Sequence, residues 1–581
     1  MIDPYRMVFV NGIASLLVLT GVIIYRYVYP KRKINLFILL LIISILPIIS
    51  IFRIGTYESG DFNIHVRRSM EFYQLLAEGN IIPAWAGNLN ATYGYPLFVF
   101  NYTLPYYIIS FFHLLGFSFI SSLKLFLAFN FVLSGLFMYL FSKNFFKSDL
   151  SAFTTSIFYL FTPYHLISLH FKITVGEVLA YTFVPLIFYF VDKLLVDKKV
   201  LFFLLSSLSH GLLILSHIFV AIFLIPVIIL YIIIKVKNFF KGILYSFGII
   251  TISLLISMYQ WTAPLIYRPY LFTTTNPSDP SKAFYFPNIV DLLYSPWRFG
   301  LLFQGPKGEL SFLLGYAQLL TVLIIISLLL KNRIKKEYKN SLILWVILFF
   351  VTIFFITPYS IFVWRHLPLV NEAGSQRLLI IAAFYTSLFA GYISLAYKKK
   401  WYIYGLVFFV IGTTILNWGQ RRVIPTINDS TLRQDISLGT KWADTHFYAL
   451  PKWIDPKYPW FSNIPKNHFE ILNGEGKIDN VQRSSTKHIY KISAKSELTI
   501  RENTLYFPGW EIKANRKTIN LWPDKKGVIN FKIKTGTYYA EVIYEDLLIY
   551  KLSKVISLLS LLSIFLFILH LTLKKYKIFK L

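Results

Sequence analysis

Asp61 and His65 stand four residues apart in SGDFNIHVRRSMEFYQLL, directly after an apolar run that ends near Phe52. At helical spacing they share a face, so a carboxylate and an imidazole meet the same surroundings. General-base chemistry needs that combination: a carboxylate to take a proton and a neighbour to orient it or tune its pKa. The bland alternative is an interfacial helix with a solvated polar face. Glu177 is a second acidic position, opening an apolar run in HFKITVGEVLAYTFVPL with Lys172 five residues before it. Its bland reading is favourable placement at a helix N-terminus. Its chemical reading is a second carboxylate near Asp61, with Lys172 beside it to bind an anion. Asp61 and Glu177 together offer oxygen ligands to a divalent cation.

Arg53, Arg67, Arg68, Arg268, Arg298, Arg365 and Arg377 fall in the loops that collect the polar residues. Each alone suits a lipid headgroup; as a set they match phosphate. His210 and His217 sit in the charge-free run from Val200 to Ile234. An ionisable group inside a span is a functional candidate, and a neutral His bonded between helices is its ordinary counterpart. Trp85, Tyr95 and Trp297 are candidate walls of a substrate pocket, Trp297 by stacking on a sugar ring; aromatic belts supply the plain reading.

The elements that must position these residues are set by composition. The chain has 581 residues, 56% of them hydrophobic and 15% charged, against about 25% charged in a soluble domain. Runs long enough to cross a bilayer need roughly 20 apolar residues. They recur at 8–29, 34–52, 118–142, 151–170, 178–196, 200–216, 218–234, 243–261, 313–330, 341–357, 377–396, 401–418 and 553–573. This predicts a polytopic α-helical membrane protein of about 13 transmembrane helices. The net charge of +30 would suggest nucleic acid in a soluble protein; here Lys and Arg mark cytoplasmic loops instead, and no nucleic-acid partner is expected. With no Cys, disulfides and thiolate metal sites are excluded.

The basic loops then all fall on one side, and the C-terminus with them. Residues 53–117 form an outer-face loop, in which 96–117 reads as a re-entrant hairpin broken by Pro96, Pro105 and Gly116. The domains expected are a transmembrane unit over 1–418, a small β-rich extracytoplasmic domain over 419–550, and a final helix with a basic tail over 551–581. Alternation in Val528 to Lys534 and Tyr538 to Tyr544, with Gly527 and Gly536 as turns, carries the β assignment.

Several motifs carry a resemblance. Asp61 and His65 precede Gly79, Pro83 and Trp85, then Gly94 to Phe98 (GYPLF). Later come PYHL from Pro163, GEVLAYTFVPL from Gly176, LSH ending at His217, YSPWRFG from Tyr294 and LYFPGW from Leu505. Over nearly the whole chain this resembles the bacterial membrane proteins labelled 6-pyruvoyl-tetrahydropterin synthase-related, akin to YfhO-type proteins and to the GT-C superfamily of polyprenyl-phosphate-sugar glycosyltransferases. The label does not describe the chemistry, since no His-rich zinc pattern occurs among the eleven His. The resemblance implies a GT-C-like fold at the plasma membrane and a polyprenyl-phosphate-sugar donor, with a glycan, lipid or protein acceptor. It implies that Asp61 is the first-loop carboxylate. Asn101-Tyr102-Thr103-Leu104-Pro105 stands where relatives often have Tyr-Pro-Pro-Leu, and Lys172 where they often have Arg.

A phosphate leaving group is stable as an anion, so one base suffices, unlike the two carboxylates of a glycosidase. Asp61 is then the base, assisted by His65, with Glu177 placing the acceptor. Lys172, Arg377 and Arg298 are the cations for the donor phosphate. Trp85, Tyr95, His217 and Trp297 line the substrate pocket. No cofactor is required by this scheme; a divalent cation on Asp61 and Glu177 is its one metal alternative. The competing classes are a lipid-linked glycan transporter or flippase, which paired repeats and broken helices would mark, and a non-catalytic membrane protein of envelope assembly.

Overall fold

The computed structural model describes residues 4–236, 238–272, 286–294, 311–366, 374–397, 399–419, 422–434, 449–454, 461 and 463–575. Among these residues eight helices are long and apolar enough to cross a membrane: Phe9–Val28, Phe119–Phe146, Val175–Asp197, Val200–Val236, Phe239–Ile256, Lys336–Ile356, Ser375–Ala396 and Leu548–Leu573. The chain is a polytopic helical membrane protein. Leu36–Phe52 and Tyr316–Leu330 are shorter apolar helices, and Asp149–Leu160 and Lys400–Thr414 occupy the other two expected runs.

Side chains set the helix starts. Asn35 accepts from the N–H groups of Phe37 and Ile38, and Ser148 from that of Ser151, each satisfying donors that the first turn leaves open. Phe119–Phe146 is capped twice, by Ser118 through Ser121 N–H and by the Asp429 carboxylate through the N–H groups of Phe119 and Ile120.

Two expected crossings, 200–216 and 218–234, lie in one element, Val200–Val236, which contains a non-helical residue, His217, at φ −161° and ψ 88°. Straight, 37 residues would run about 55 Å, well beyond the hydrocarbon thickness of about 30 Å. His210 Nε2 instead lies 3.4 Å from the carbonyl of Ala221, eleven residues on, so the two arms fold toward one another at His217.

After Phe52 the chain leaves the apolar layer. Phe62–Ala77 is the amphipathic helix expected from Asp61 to Leu76. The 96–117 stretch contains the helix Leu104–Leu114, entered through Pro105 and ended at Gly116, whose φ is +98°. Lys124 reaches from the following long helix to the carbonyls of Arg53 and Gly55. Thr56–Tyr57 pairs with Val423–Ile424, so the segment after the Lys400–Thr414 helix returns to the loop that carries Asp61.

Residues 469–544 form two antiparallel sheets. One has the order Phe469–Asn473, Leu498–Leu505, Val528–Ile533, Leu521–Pro523. The other runs Gly476–Arg483, Lys487–Ala494, Gly536–Tyr544, Trp510–Ala514, Lys517–Ile519. Ile492, Ile500, Ile512, Phe531 and Val542 are fully buried between them. The sheets dock on the loop after the amphipathic helix: Leu505 N–H donates to the Tyr93 carbonyl at 2.9 Å, and Tyr93 stacks on Phe461 at 3.7 Å. The final helix follows at once, so a β-rich unit does precede a last apolar helix.

Candidate functional site

Asp61 occupies the N-cap position of Phe62–Ala77, yet its side chain makes no capping bond; Ser59 Oγ accepts the Phe62 N–H at 3.2 Å instead. An N-cap carboxylate normally spends an oxygen on its own helix. Here no hydrogen bond among the described residues occupies either oxygen, while the positive end of the helix still lies behind them. The backbone is pinned. Gly60 N–H donates to the Phe171 carbonyl at 2.7 Å and Asp61 N–H to that of Lys172 at 3.0 Å. A Cβ on Gly60 would come within 3.0 Å of the Lys172 oxygen, so glycine permits the approach.

The other strand of this junction is itself unusual. Ser168–Lys172 is a turn of π-helix, and Ile173 follows at φ +55°. A β-branched residue in the left-handed region is an outlier, and π turns gather at functional sites. The result is that Lys172 bends back over the start of Val175–Asp197. Its Nζ donates to both oxygens of Glu177, at 2.9 and 2.8 Å, and to Tyr164 OH at 2.9 Å. Ser168 Oγ adds a bond to Glu177 at 3.0 Å. Glu177 is 2% exposed and Lys172 12%, a buried pair with its hydrogen bonds satisfied.

Arg377 approaches from the turn Ser375–Leu378, its Nε 3.6 Å from Glu177 and its guanidinium 5.6 Å above the Phe219 ring. It is 32% exposed. No described residue accepts a hydrogen bond from its guanidinium, so the fork is largely unspent. Tyr102 completes the wall, stacked with Tyr106 at 6.2 Å and with His217 at 6.4 Å. Gly176 makes room for it: an added Cβ would stand 2.8 Å from the Tyr102 ring.

Charge in the site is set by burial against these cations. Burial pushes the Asp61 carboxyl above its ordinary value; Arg68, Lys172 and Arg377 pull it down, and Glu177 pushes it up. Burial lowers the Lys172 ammonium, opposed mainly by Glu177. The Tyr102 phenol is raised well above its usual range, first by burial.

Asp61, Lys172, Glu177, Arg377 and His217, expected from distant parts of the sequence, therefore converge. Others are placed differently. His65 lies one turn beyond Asp61, but its Nδ1 is 2.9 Å from Tyr106 OH, and the ions acting on Asp61 come from Arg68, Lys172, Glu177 and Arg377. Trp85 packs edge-on against Trp510 at 5.2 Å and beside Tyr544 at 5.3 Å. It holds the β sheets to the loop and is fully buried, not a free face for a sugar. Tyr95 is also fully buried and paired with Ala86 across a backbone bridge. Trp297 and Arg298 lie outside the described residues. Arg68, named only as one of the outer arginines, is the strongest cation acting on Asp61. Tyr102 and Tyr164 lay inside motifs that carried the resemblance, with no role attached to either, and Tyr106 and Ser168 had no sequence signal beyond the polar interruption of apolar runs.

The divalent-cation alternative does not fit the donor set. Both Glu177 oxygens are taken by Lys172, and a dication between Asp61 and Glu177 would face Lys172 and Arg377 at close range. Among the described residues no group of three or more His, Asp and Glu could hold a metal ion.

Comparison with known proteins places the chain. Residues 99–424 match the profile of the family described as 6-pyruvoyl-tetrahydropterin synthase related domain, membrane protein. An uncharacterized protein of Lactococcus lactis subsp. cremoris (strain MG1363) is 25% identical over 348 residues, 58% of this chain and 55% of the relative. The chain thus spans little more than half the length of that relative. The family match runs from the end of the loop bearing Asp61 through Lys172, Glu177, His217 and Arg377, and covers more than half of the sequence: the chain belongs to the 6-pyruvoyl-tetrahydropterin synthase related family of membrane proteins.

Proposed function

We propose that this protein is an inverting glycosyltransferase of the cytoplasmic membrane that takes a sugar from a polyprenyl-phosphate donor and passes it to a cell-envelope acceptor. The observation that carries the reading is the uncapped Asp61 carboxylate, its backbone held against Lys172 and its charge facing Arg377, whose guanidinium has hydrogen bonds to spare among the described residues. In this scheme the loop carrying Asp61 and residues 419–550 lie outside the membrane and the C-terminal tail in the cytoplasm, as the basic loops require.

In the reaction an acceptor hydroxyl oxygen attacks the anomeric carbon. The bond from that carbon to the phosphate oxygen breaks, and its electron pair leaves with the phosphate. The hydroxyl proton goes to Asp61, whose raised pKa suits it to accept one as the bond forms. Arg377, beside the buried Glu177, meets the charge that grows on the leaving phosphate. Glu177 holds Lys172 in place and is thus a positioning residue. A single displacement inverts the anomeric carbon.

The test is sugar release from a polyprenyl-phosphate-sugar mixture by purified protein, wild type against Asp61→Asn. Turnover that falls by about 100-fold or more in the variant supports the base role. Equal turnover removes Asp61 from the chemistry. Absence of turnover with every donor in the mixture overturns the transferase reading and favours a transporter or an assembly protein.

A further inference from the structure

His217 does two things at once. Its φ of −161° and ψ of 88° interrupt Val200–Val236, and its Nδ1 accepts the N–H of Val220 at 3.4 Å, so the side chain caps the arm that it begins. A ring nitrogen that accepts an N–H carries no proton, and in a neutral imidazole the proton then sits on Nε2. The ring is fixed in place as well. It lies nearly parallel to Tyr102, 22° between planes, and 6.3 Å from Phe219, the ring beneath the Arg377 guanidinium. On the far side a Cβ added to Gly176 would stand 2.6 Å from the Ser216 carbonyl, so the turn is packed directly on the start of the helix that carries Glu177. Nε2 has no acceptor among the described residues and is not among the side-chain atoms sealed from solvent without a partner.

Resting on the transfer reading above, we propose that His217 contacts the substrate: its Nε2–H donates to an oxygen of the donor's phosphate beside Arg377. A neutral donor adds a hydrogen bond to an anion without adding repulsion to Lys172 and Arg377. Because the Val220 contact and the Tyr102 ring hold the imidazole in one direction, the donor needs little reorganisation when phosphate charge develops.

The cap and the contact separate by substitution in the full chain reconstituted in lipid nanodiscs. In His217→Asn the side-chain oxygen stands where Nδ1 stands and keeps the cap, without the reach of Nε2. In His217→Gln the amide reaches the Nε2 position and gives up the cap. Two readouts are taken: binding of a polyprenyl phosphate without sugar, and sugar release from the polyprenyl-phosphate-sugar mixture. The expected result is that His217→Asn keeps the thermal midpoint, weakens polyprenyl-phosphate binding about tenfold or more, and slows release. His217→Gln regains part of the binding. Wild-type binding and release in His217→Asn overturn the inference and leave the transfer reading standing. Binding that depends on His217 in a wild-type protein without sugar release sinks the transfer reading and supports the contact. If His217→Asn unfolds, histidine nitrogen-15 spectra of the wild type decide. A protonated Nε2 that shifts on adding polyprenyl phosphate supports the contact; an unmoved signal, or a proton on Nδ1, overturns it.

Discussion

The backbone N–H of Asp61 donates to the carbonyl of Lys172 at 3.0 Å, and the side chain of the same Lys172 donates to Glu177 at 2.8 Å. One residue therefore fixes both carboxylates of the site. Its cation also counts among those that lower the pKa of Asp61, after the larger effect of Arg68.

The pH dependence of transfer should report that balance. A base works deprotonated, so activity falls as pH drops through the Asp61 pKa, which burial has already raised. Arg68→Gln removes the strongest opposing cation. The acid limb of the pH–rate profile should move to higher pH. An unmoved limb means that Asp61 does not set it.

Glu177→Gln should cost more stability than activity arguments alone suggest. It leaves the Lys172 ammonium buried beside a neutral amide, and breaking a buried pair from one side costs about 3–5 kcal/mol. Thermal unfolding in detergent would show a clear drop. The double change Lys172→Met with Glu177→Met removes both charges and should recover most of that stability, because an apolar pair of similar volume suits a buried site. Recovery of sugar release with it would show that neither charge serves the reaction.

In the β sheets, Ala514 pairs with Lys517 across a two-residue turn, Asn515 and Arg516, at φ 45° and 68°. Both are left-handed, as a type I′ hairpin turn demands, and Asn-Gly is its preferred sequence. Arg516→Gly should therefore stabilise the hairpin by about 1 kcal/mol. Amides of 512–519 would then exchange about fivefold more slowly. Faster exchange would mean that Arg516 contributes contacts exceeding the strain.

The membrane class and the β unit were legible because each rests on composition and period along the chain. Gly527 and Gly536 flank Val528–Ile533 as the alternation implied. Asp61, Lys172, Glu177 and Arg377 were legible as residue types in the wrong medium: charges beside apolar runs need a reason. What joins them was not. The left-handed Ile173 and the π turn before it leave no mark in HFKITVGE, because strain at one residue is imposed by packing on both sides. Trp85 misled for a related reason: a Trp near Gly and Pro reads as a pocket wall, and only the partner sheets reveal Trp510 across from it.

A last dependence on pH lies away from the site, in Glu71 on the helix that Asp61 begins. Glu71 is 3% exposed and accepts the Asn88 N–H at 3.1 Å and its side-chain amide at 3.0 Å. The Asn88 amide also reaches Ser485 of the β sheets, and Ser485 binds Glu78. Burial pushes the Glu71 carboxyl up to about 7; the Asn88 bonds oppose this and Glu78 adds to it. The folded pKa thus lies above the ordinary value of about 4.3, and the folded state holds a proton that the unfolded chain has released. The stability this supplies is complete below pH of about 4.3 and is lost progressively up to about 7, falling by about 1.4 kcal/mol per pH unit. Glu71→Gln should flatten the thermal midpoint between pH 5 and 7, a window in which the wild type declines. A parallel decline in both proteins would place the titrating group elsewhere.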